Sequence, residues 1–587
     1  MKMLQELKQR YNPPFHRDLR ELLNYVVKAY SQDVAFIIKH KARGKEPVYE
    51  DVTFDEFGRQ VYRLGTALLK RGLLAERIAV MGKNRCEWMT SFFAVLCGGG
   101  VCVPLDKGLP YEEFESSLIR SEAKVLIFDP DLKPLVEQLK QSGTSQVETF
   151  ICMEPMADCL DILALMEEGR AAIEEGFVEY ENQPIDSKAV RILLFTSGTT
   201  SMAKAVMMSH HNITANVYSL QKVEDIRHGD VNMAFLPYHH TFGSTGQILM
   251  LACGVTTTYC DGLKYLQRNI VEYKVSVFFC VPLLIESIYK KIMATVKKQG
   301  KENTVRFGMA LTQFLLKFGI DLRRRVFKQI LDQLGGNIRL VISGAAAIDP
   351  EAIEGFNKLG ITAIQGFGMT EASPVITAEN SWERKTGSCG RAMPGVEVAI
   401  DQPDEKGVGE IIARGPNVML GYYENEEETA KTLQDGWLHT GDLGYIDEDG
   451  FLFICGRKKN VIVLKNGKNV YPEEIELLIS NLPYVAETMV FGQPRTAEDE
   501  RDLVICTKIV YNPEAIRTEF GLDVKGADGE AAEAVRAQIE QRIRADIEAI
   551  NETLPVYKKM LRVTVTDQPM VKTTTGKVKR FEEIKNL

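Results

Sequence analysis

The feature that most constrains the fold is an alternation of short apolar runs with helical patterns, which continues from about residue 34 to residue 453. Several of the runs end in Gly, Ser, Asn or Pro. Strands that alternate with helices predict an α/β architecture with largely parallel sheets, in which ligands bind beyond the carboxyl ends of the strands. The runs are RIAVMGKN (77–84), KVLIFDP (124–130), RILLFTS (191–197), VNMAFLPY (231–238), VSVFFCVP (275–282), IRLVISG (338–344) and ITAIQGFG (361–368).

The pattern changes close to residue 457. A helix is predicted to begin at Pro472 with two glutamates in its first turn, and the Ala/Glu/Arg-rich stretch 529–552 is predicted to be an exposed helix. With 587 residues, the chain is also too long for a single core. We therefore expect a large N-terminal domain of stacked mixed or parallel sheets with helices over residues 1–457, and a small α+β domain over residues 458–587.

The composition argues against several classes of protein. The formal net charge of −9 disfavours nucleic acid as a partner, since a phosphate-binding face normally gives a basic excess. The 11 cysteines are scattered without a C-x-x-C pair, which predicts reduced thiols in the cytoplasm. The N-terminus has no apolar signal segment, and apolar runs such as 91–105 fall short of the ~20 residues of a transmembrane segment. Peripheral contact with a membrane stays open.

A polar loop with the sequence FTSGTTSMAKA (195–205) begins in one of the apolar runs. The segment after it predicts a helix that begins at Asn212 or Thr214. A strand that leads through a small polar loop into a helix aims backbone N–H groups and a lysine, here Lys204, at phosphate.

The same loop matches the Walker phosphate-binding pattern only in part. Gly198 and Lys204 have the required separation, but Ala203 replaces the second glycine and Ala205 replaces the hydroxyl residue that binds magnesium. A kinase or ATPase of that type would therefore lack its metal ligand. For the loop taken alone, the alternative is a solvated connection without a ligand.

Six stretches occur in a fixed order along the chain. They are FTSGTTSMAKA (195–205), LPYHHTFG (236–243), SGAAAI (343–348), QGFGMTEASP (365–374), DGWLHTGDLGYIDEDGFLFICGRKKN (435–460) and TTTGKVKR (573–580). In order and spacing they resemble the adenylate-forming (AMP-binding) superfamily of acyl-CoA synthetases, adenylation domains and luciferases. DGWLHTGDLG together with GFGMTE resembles its fatty acyl-CoA ligase branch. The resemblance covers nearly the whole chain and implies a C-terminal domain that is mobile.

The resemblance implies an ATP site. Residues 196–200 and Lys204 would hold the β- and γ-phosphates, although three residues of this loop depart from the usual sequence. Gly344 and Ala345 would form a wall for adenine, and Phe367, in place of the usual tyrosine, would stack on the base. The residues implied to bind ATP or AMP are Thr196, Ser197, Gly198, Thr199, Thr200, Lys204, Gly344, Ala345, Gln365, Gly366, Phe367, Gly368, Met369, Thr370, Asp442 and Arg457.

Five of the residues in these stretches are implied to handle the charges of the reaction. Glu371 would hold Mg²⁺ between the phosphates, and Thr370 would contact the α-phosphate. Asp442 would accept hydrogen bonds from both ribose hydroxyls, and Arg457 would reach the ribose and the phosphates. Lys577 would stabilise the charge that grows on the α-phosphoryl oxygens while a carboxylate displaces pyrophosphate.

The implied second half-reaction is attack of the CoA thiol on the acyl-adenylate. The C-terminal domain would rotate about Lys459 and withdraw Lys577 from the site. A loop around Gly467 would line the pantetheine channel. Without the resemblance, Lys459 and its neighbouring lysines are typical of a solvated face.

The identity of the acid is inferred from LPYHHTFG. The resemblance implies a role for His240 at the carboxylate end of the acyl site, where the alternative is a structural histidine. Relatives that activate amino acids carry an aspartate near this stretch, and no acid lies between residues 236 and 251. The segment 243–254 fits an apolar tunnel wall or an ordinary core helix equally well. A medium- to long-chain fatty acid is therefore the first choice, and an aryl acid the second.

The expected protein is an acyl-CoA synthetase that uses a small-molecule carboxylic acid, ATP, Mg²⁺ and CoA. One alternative is transfer of the acyl group to the phosphopantetheine of a carrier protein. Another is a nucleotide- or acyl-binding protein that has lost catalysis, which only the substitutions in loop 196–205 favour. The sequence leaves the oligomeric state undetermined.

Overall fold

The structure, a computed structural model, describes residues 2–41, 46–157, 159–196, 203–496, 499, 501–523, 530–572 and 577–585, and of residue 530 only the backbone. The strands are β1 (Lys2–Met3), β2 (Val34–His40), β3 (Val48–Thr53), β4 (Arg77–Met81), β5 (Val101–Leu105), β6 (Ala123–Phe128), β7 (Thr149–Cys152), β8 (Leu160–Asp161), β9 (Ile192–Thr196), β10 (Lys204–Met208), β11 (Val231–Ala234), β12 (Thr256–Tyr259), β13 (Val277–Cys280), β14 (Leu340–Ser343), β15 (Thr362–Gly368), β16 (Val375–Ala378), β17 (Arg391–Ala392), β18 (Glu397–Asp401), β19 (Gly409–Arg414), β20 (Gly421–Tyr422), β21 (Leu433–Gln434), β22 (Trp437–Ile446), β23 (Leu452–Arg457), β24 (Ile462–Val463), β25 (Asn469–Val470), β26 (Val485–Pro494), β27 (Leu503–Tyr511) and β28 (Met560–Thr566). The α-helices are α1 (Leu19–Ala29), α2 (Phe54–Lys70), α3 (Cys86–Cys97), α4 (Tyr111–Arg120), α5 (Lys133–Ser142), α6 (Ile162–Glu174), α7 (His210–Val223), α8 (Thr241–Ala252), α9 (Leu266–Glu272), α10 (Pro282–Lys298), α11 (Glu302–Leu316), α12 (Arg323–Val326), α13 (Lys328–Asp332), α14 (Pro350–Leu359), α15 (Glu426–Thr432), α16 (Pro472–Ser480), α17 (Pro513–Phe520), α18 (Glu530–Thr553) and α19 (Arg580–Lys585).

Two large mixed sheets carry most of the strands. One has the order β20-β10-β9-β5-β4-β6-β7-β8, and the other has the order β17-β16-β15-β14-β13-β11-β12-β2-β3. Their central strands run parallel, and antiparallel pairs occur at their edges. A third sheet, β1-β18-β19-β22-β21 with β23 on β22, is antiparallel. The predicted α/β class with stacked mixed and parallel sheets is confirmed.

All seven apolar runs that were predicted to be strands form strands. Three of them become β4, β6 and β9 of the first sheet, and four become β11, β13, β14 and β15 of the second. The largest apolar core contains side chains of both sheets together with Ile213 of α7 and Ile248 of α8. The loops beyond the carboxyl ends of β9, β14 and β15 carry three of the six stretches that were singled out in the sequence.

The connection after the FTSGTTSMAKA loop differs from the prediction. The loop joins two antiparallel strands, β9 and β10, and the expected helix begins only after β10. That helix, α7, begins at His210, so the expected start at Asn212 or Thr214 was wrong. Ser209 caps it: its hydroxyl accepts from the Asn212 N–H at 3.2 Å, and the Asn212 side chain accepts from the Ser209 N–H at 2.8 Å. Asn212 therefore closes a capping box from inside the helix.

The residues beyond 461 have an apolar core of their own. It is built from side chains between residues 462 and 565, including Ile475 of α16, Ile505 of β27 and Ile543 of α18. The predicted helix after Tyr471 is α16, which starts at Pro472. The second predicted helix, α18, is not simply exposed, since Ile539, Ile543 and Ile547 are buried along one face at a spacing of four. Among the helices of the described residues, none is long and apolar enough to cross a bilayer.

Candidate active site

The two ends of the predicted phosphate loop are fixed by the β9–β10 pair. Thr196 and Lys204 are partners in this antiparallel register, and the Thr196 hydroxyl donates to the Lys204 carbonyl at 3.3 Å. The expected contacts of Ser197, Gly198, Thr199 and Thr200 lie outside the described residues. The sheet therefore fixes where the loop leaves and returns, and it places the Lys204 side chain beside the returning end.

The Lys204 ammonium already has a partner. It forms a short ion pair with Glu428 of α15, and it lies 4.9 Å from the centre of the Tyr422 ring. Lys204 and Glu428 both keep about a third of their side chains exposed. The cation lowers the pKa of the Glu428 carboxyl through this hydrogen bond. Any phosphate that binds Lys204 competes with Glu428 for the ammonium.

Glu371 and Thr370 form a 3₁₀ turn directly after β15. Gly368 permits this turn, because a Cβ atom at that position would lie 2.0 Å from the Pro374 carbonyl oxygen. The carboxyl of Glu371 is largely buried and accepts a hydrogen bond of 2.8 Å from the Tyr422 hydroxyl. Thr370 receives a hydrogen bond of 3.4 Å from the hydroxyl of Thr241, the first residue of α8.

The predicted adenine wall lies at the carboxyl end of β14. Ala345 is exposed and has a φ of +74°, which a residue with a Cβ atom rarely adopts. Gly344 fits closely, since a Cβ atom there would lie 3.2 Å from the Phe242 ring. Phe367 is mostly buried in the main core, with 8% of its surface exposed, so a base would reach only part of its ring. Gln365 donates to the Ser388 carbonyl beside it.

Asp442 and Arg457 face each other across the β22–β23 pair. They are partners in its register, and the Arg457 Nε atom lies 2.9 Å from the Asp442 Oδ1 atom. Burial raises the pKa of Asp442 to about 6, against the opposing effect of Arg457 and Lys577. The antiparallel register thus presents a carboxylate and a guanidinium side by side.

Lys577 joins this group from the far end of the sequence. Burial and the charge of Arg457 lower the pKa of its ammonium, while Asp442 and Glu371 act in the opposite direction. Lys459 lies in the same field, because burial and the charges of Arg457, Lys204 and Lys577 lower its pKa. Arg457, Lys459 and Lys577 therefore act electrostatically on Asp442, and such a group of cations favours an anionic ligand.

The structure separates the two remaining candidates of the C-terminal part. Lys459 lies in a 3₁₀ turn, Lys458–Asn460, directly after β23. Gly467 lies in the turn between β24 and β25 and has a φ of +76°, a conformation that glycine adopts easily. A Cβ atom at this position would meet nothing within 4 Å. Lys459 belongs to the cationic cluster, and Gly467 lies on a separate turn of the chain.

His240 occupies the N-cap position of α8, where its side chain makes no capping hydrogen bond, and it lies close to two further ligand-type residues, His239 and Asp106. Its ring centroid is 4.2 Å from that of His239, and the His239 Nε2 atom is 3.5 Å from Asp106 Oδ1. Burial, together with the neighbouring His239 and Lys577, lowers the pKa of His240 to about 4, although Asp106 acts in the opposite direction. His240 is therefore neutral at pH 7, and one nitrogen of its ring can donate a hydrogen bond without a full charge.

Several residues of the site were not found from the sequence. Asp106 directly follows β5, so the rule that ligands bind beyond strand ends could have identified it. Tyr422 and Glu428 belong to the stretch GYYENEEETAKT, which carries no local sign of function. They join the site because β20 pairs with β10, with Tyr422 opposite Val206.

Comparison with known proteins adds a family and a set of relatives. The family model described as AMP-binding enzyme matches residues 25–423. Long-chain-fatty-acid–CoA ligase FadD15 of Mycobacterium tuberculosis is 27% identical over 91% of this chain and 90% of its own length. Long-chain-fatty-acid–CoA ligase 5 of Mus musculus is 28% identical over 91% of this chain and 82% of its own length.

Solved structures give the same fold. The anthranilate CoA ligase AuaEII in complex with anthranoyl-AMP superposes with a TM-score of 0.72, at 21% identity and 98% coverage of both chains. A fatty acyl CoA synthetase of Mycobacterium tuberculosis superposes with a TM-score of 0.63, at 21% identity over 97% of this chain and 98% of its own. At these identities the superpositions support the fold alone.

Proposed function

This chain belongs to the AMP-binding enzyme family, and from that premise we propose that it is an ATP-dependent acyl-CoA synthetase. In the first half-reaction a carboxylate oxygen attacks the α-phosphorus of ATP, the bond to pyrophosphate breaks, and an acyl-adenylate forms. In the second, the CoA thiol attacks the acyl carbonyl, loses its proton and expels AMP. Adenylation is needed because a carboxylate is anionic and therefore a poor electrophile.

The observation that carries the proposal is the convergence of Lys577 with Glu371, Asp442 and Arg457. These residues lie far apart in the sequence, yet their charges act on one another. A positioned ammonium stabilises the charge that develops on the α-phosphoryl oxygens without having to reorganise. Asp442 and Arg457 would hold the ribose. Lys204 would release Glu428 and bind the outer phosphates instead.

Mg²⁺ belongs to the proposal as the counter-ion of ATP. The Glu371 carboxyl fits it, since a carboxylate oxygen is the type of ligand that a hard cation prefers. The hydrogen bond from Tyr422 orients this carboxyl. Mg²⁺ bound there would neutralise phosphate charge, while Thr370 and Lys577 would act on the α-phosphoryl group.

We propose a medium- to long-chain fatty acid as the substrate. The names of the two ligases reported above support this choice, and so does the run of small and apolar residues in α8. Neutral His240 would donate a hydrogen bond to the acid. We also propose a reducing, cytoplasmic compartment, which the scattered spacing of the eleven cysteines favours.

The exchange between the half-reactions requires a moving part. We propose the division at residues 457 and 458, with rotation about Lys459 and with the Gly467 turn lining the pantetheine path. The separate apolar core of residues 462–565 supports a C-terminal unit that moves as one body.

The experiment is pyrophosphate release with ATP and Mg²⁺ across acids from acetate to palmitate and benzoate, each with and without CoA. We expect release to depend on a fatty acid and to become catalytic only with CoA. Lys577→Ala should lower the adenylation rate about a thousandfold and leave thioester formation from supplied acyl-adenylate nearly unchanged. Lys579→Ala, two residues away and paired with Glu582, is the matched control.

Each other outcome points to one of the alternatives. Release of a single equivalent despite CoA indicates a carrier protein as the acceptor, and release with benzoate alone indicates an aryl acid. If ATP binds but no acid triggers release, the chain is a binding protein and the proposal fails.

A further inference from the structure

Helix α11 presents a row of large apolar side chains to solvent. Its inner face buries Val305, Met309 and Thr312 against the core. The outer face carries large apolar side chains with the same helical spacing, at positions i, i+4 and i+7, so they form one stripe. The three residues of this outer face of α11 and their exposed fractions are Phe307 (70%), Leu311 (44%) and Phe314 (56%), and Phe318 (66%) follows two residues after the helix ends.

The stripe continues past the end of the helix. The rings of Phe314 and Phe318 lie 5.2 Å apart, and Ile320 and Val326 beyond them are 47% and 50% exposed. Single exposed apolar residues are ordinary on a protein surface, but a contiguous patch marks a site of interaction. A helix that is apolar on both faces needs a second apolar environment.

The charge around this stripe has the opposite sign to that of the whole chain. Residues 290–328 contain eleven lysines and arginines and two acids, whereas the chain carries a formal charge of −9. Among the ion pairs that the described residues form, none involves Lys297, Lys298, Lys301 or Lys317. Arg323 and Arg324 are held by backbone carbonyls, including those of Asn357 and Ile338, so the four lysines and the exposed Arg325 are the cations open to a partner.

We propose that the outer face of α11 and the lysines around it dock onto an anionic lipid bilayer. An amphipathic surface with exposed Phe and Leu and neighbouring lysines buries its apolar side at the boundary between headgroups and acyl chains. Lysines near the surface add attraction to anionic headgroups. A second copy is a poorer occupant, because apposing two such faces would bring two strongly basic segments together.

The test is flotation of the full chain with vesicles, without substrates. One set of vesicles is phosphatidylcholine, and the other is an equimolar mixture of phosphatidylcholine and phosphatidylglycerol. Phe314→Ser with Phe318→Ser removes the apolar contact, and Lys297→Glu with Lys298→Glu reverses part of the charge. These side chains are exposed, so the variants should fold like the native chain. Circular dichroism and the thermal midpoint check that they do.

The matched controls change the same properties elsewhere. Leu163→Ser removes an apolar side chain, 51% exposed, from the acidic helix α6, and Lys70→Glu with Lys188→Glu reverses two exposed charges. We expect the native chain to float with the mixed vesicles, less so at high salt. The partition constant should fall at least about tenfold in each α11-region variant and stay within about twofold in the controls.

Two results would overturn the proposal. One is binding to both vesicle types that the phenylalanine variant leaves unchanged. The other is no flotation, with sedimentation showing a dimer that Phe314→Ser and Phe318→Ser dissociate, which would assign the face to a second copy. Neither result depends on ligase activity, so failure here is distinct from failure of the proposed reaction.

Discussion

Burial brings the carboxyl of Asp442 into the pH range in which enzymes are assayed. Its pKa is raised to about 6 because desolvation disfavours the carboxylate, and the carboxylate is the form that accepts hydrogen bonds from ribose hydroxyls. The accepting form is present above that pKa and is lost as the pH falls through it. At one pH unit below the pKa, we expect KM for ATP to be about tenfold higher than its value well above the pKa.

The Asp442 prediction is checked by KM for ATP as a function of pH in the native chain and in Asp442→Asn. The variant should bind ATP more weakly at every pH and lose the dependence, because its amide does not titrate. Asp435→Asn, an exposed neighbour, should keep the native profile. A profile that persists in Asp442→Asn would assign the titration to another group.

The ion pair between Lys204 and Glu428 gives a second prediction at this scale. Removing the charge in Glu428→Gln frees the ammonium for phosphate, so KM for ATP should fall by about two- to fivefold at low salt, as befits a partly exposed pair. Lys204→Ala should raise KM. Glu427→Gln on the same helix, paired with Lys431, is the control. An increase of KM in Glu428→Gln would mean that Glu428 positions the lysine and does not compete with phosphate.

Prediction from sequence worked unevenly among these residues. Motifs with a fixed order made Glu371, Asp442, Arg457 and Lys577 candidates, and their charges act on one another in the structure. Glu428 was missed because an acid in an acid-rich helix carries no distinguishing pattern. Its ion pair with Lys204 depends on where the distant pairing of β20 with β10 places that helix.

At the scale of elements, α7 shows how a cap fixes a helix start that periodicity leaves undefined. Ser209 is buried and makes reciprocal hydrogen bonds with Asn212. We expect Ser209→Ala to lower the free energy of unfolding by about 1 kcal/mol, measured by urea unfolding followed by circular dichroism. Ser287→Ala, on the exposed side of α10, should change it by no more than about 0.5 kcal/mol. Equal effects of the two substitutions would show that the cap contributes nothing specific.

The elements that were predicted correctly are those whose pattern is local. The seven strands carry their own apolar runs, and the helix after Tyr471 carries its proline and glutamates. Strand β10 was missed because its five residues begin with the polar end of a loop and are then followed by a helix pattern. Pairing with β9 and β20 makes this segment a strand, and both contacts depend on the rest of the fold.

At the scale of the whole molecule, the order of the strands and the position of the C-terminal part cannot be predicted from local sequence patterns. The pairing of β20 with β10 joins segments about two hundred residues apart, as Tyr422 opposite Val206 shows. In the same way, Lys577 reaches the site only because the C-terminal part packs near β22 and β23. The resemblance supplied this placement, and periodicity alone could not have done so.

The proposed boundary gives the last prediction. A chain of residues 1–457 keeps both large sheets and the apolar core that joins them, and it retains Glu371, Asp442 and Arg457. We therefore expect it to fold, by circular dichroism, and to bind AMP, by calorimetry. It lacks Lys577, so its rate of acid-dependent pyrophosphate release should fall at least as far as that of Lys577→Ala. An unfolded fragment would refute the boundary. A folded fragment with native activity would refute the role of Lys577, since the reaction would then proceed without that residue.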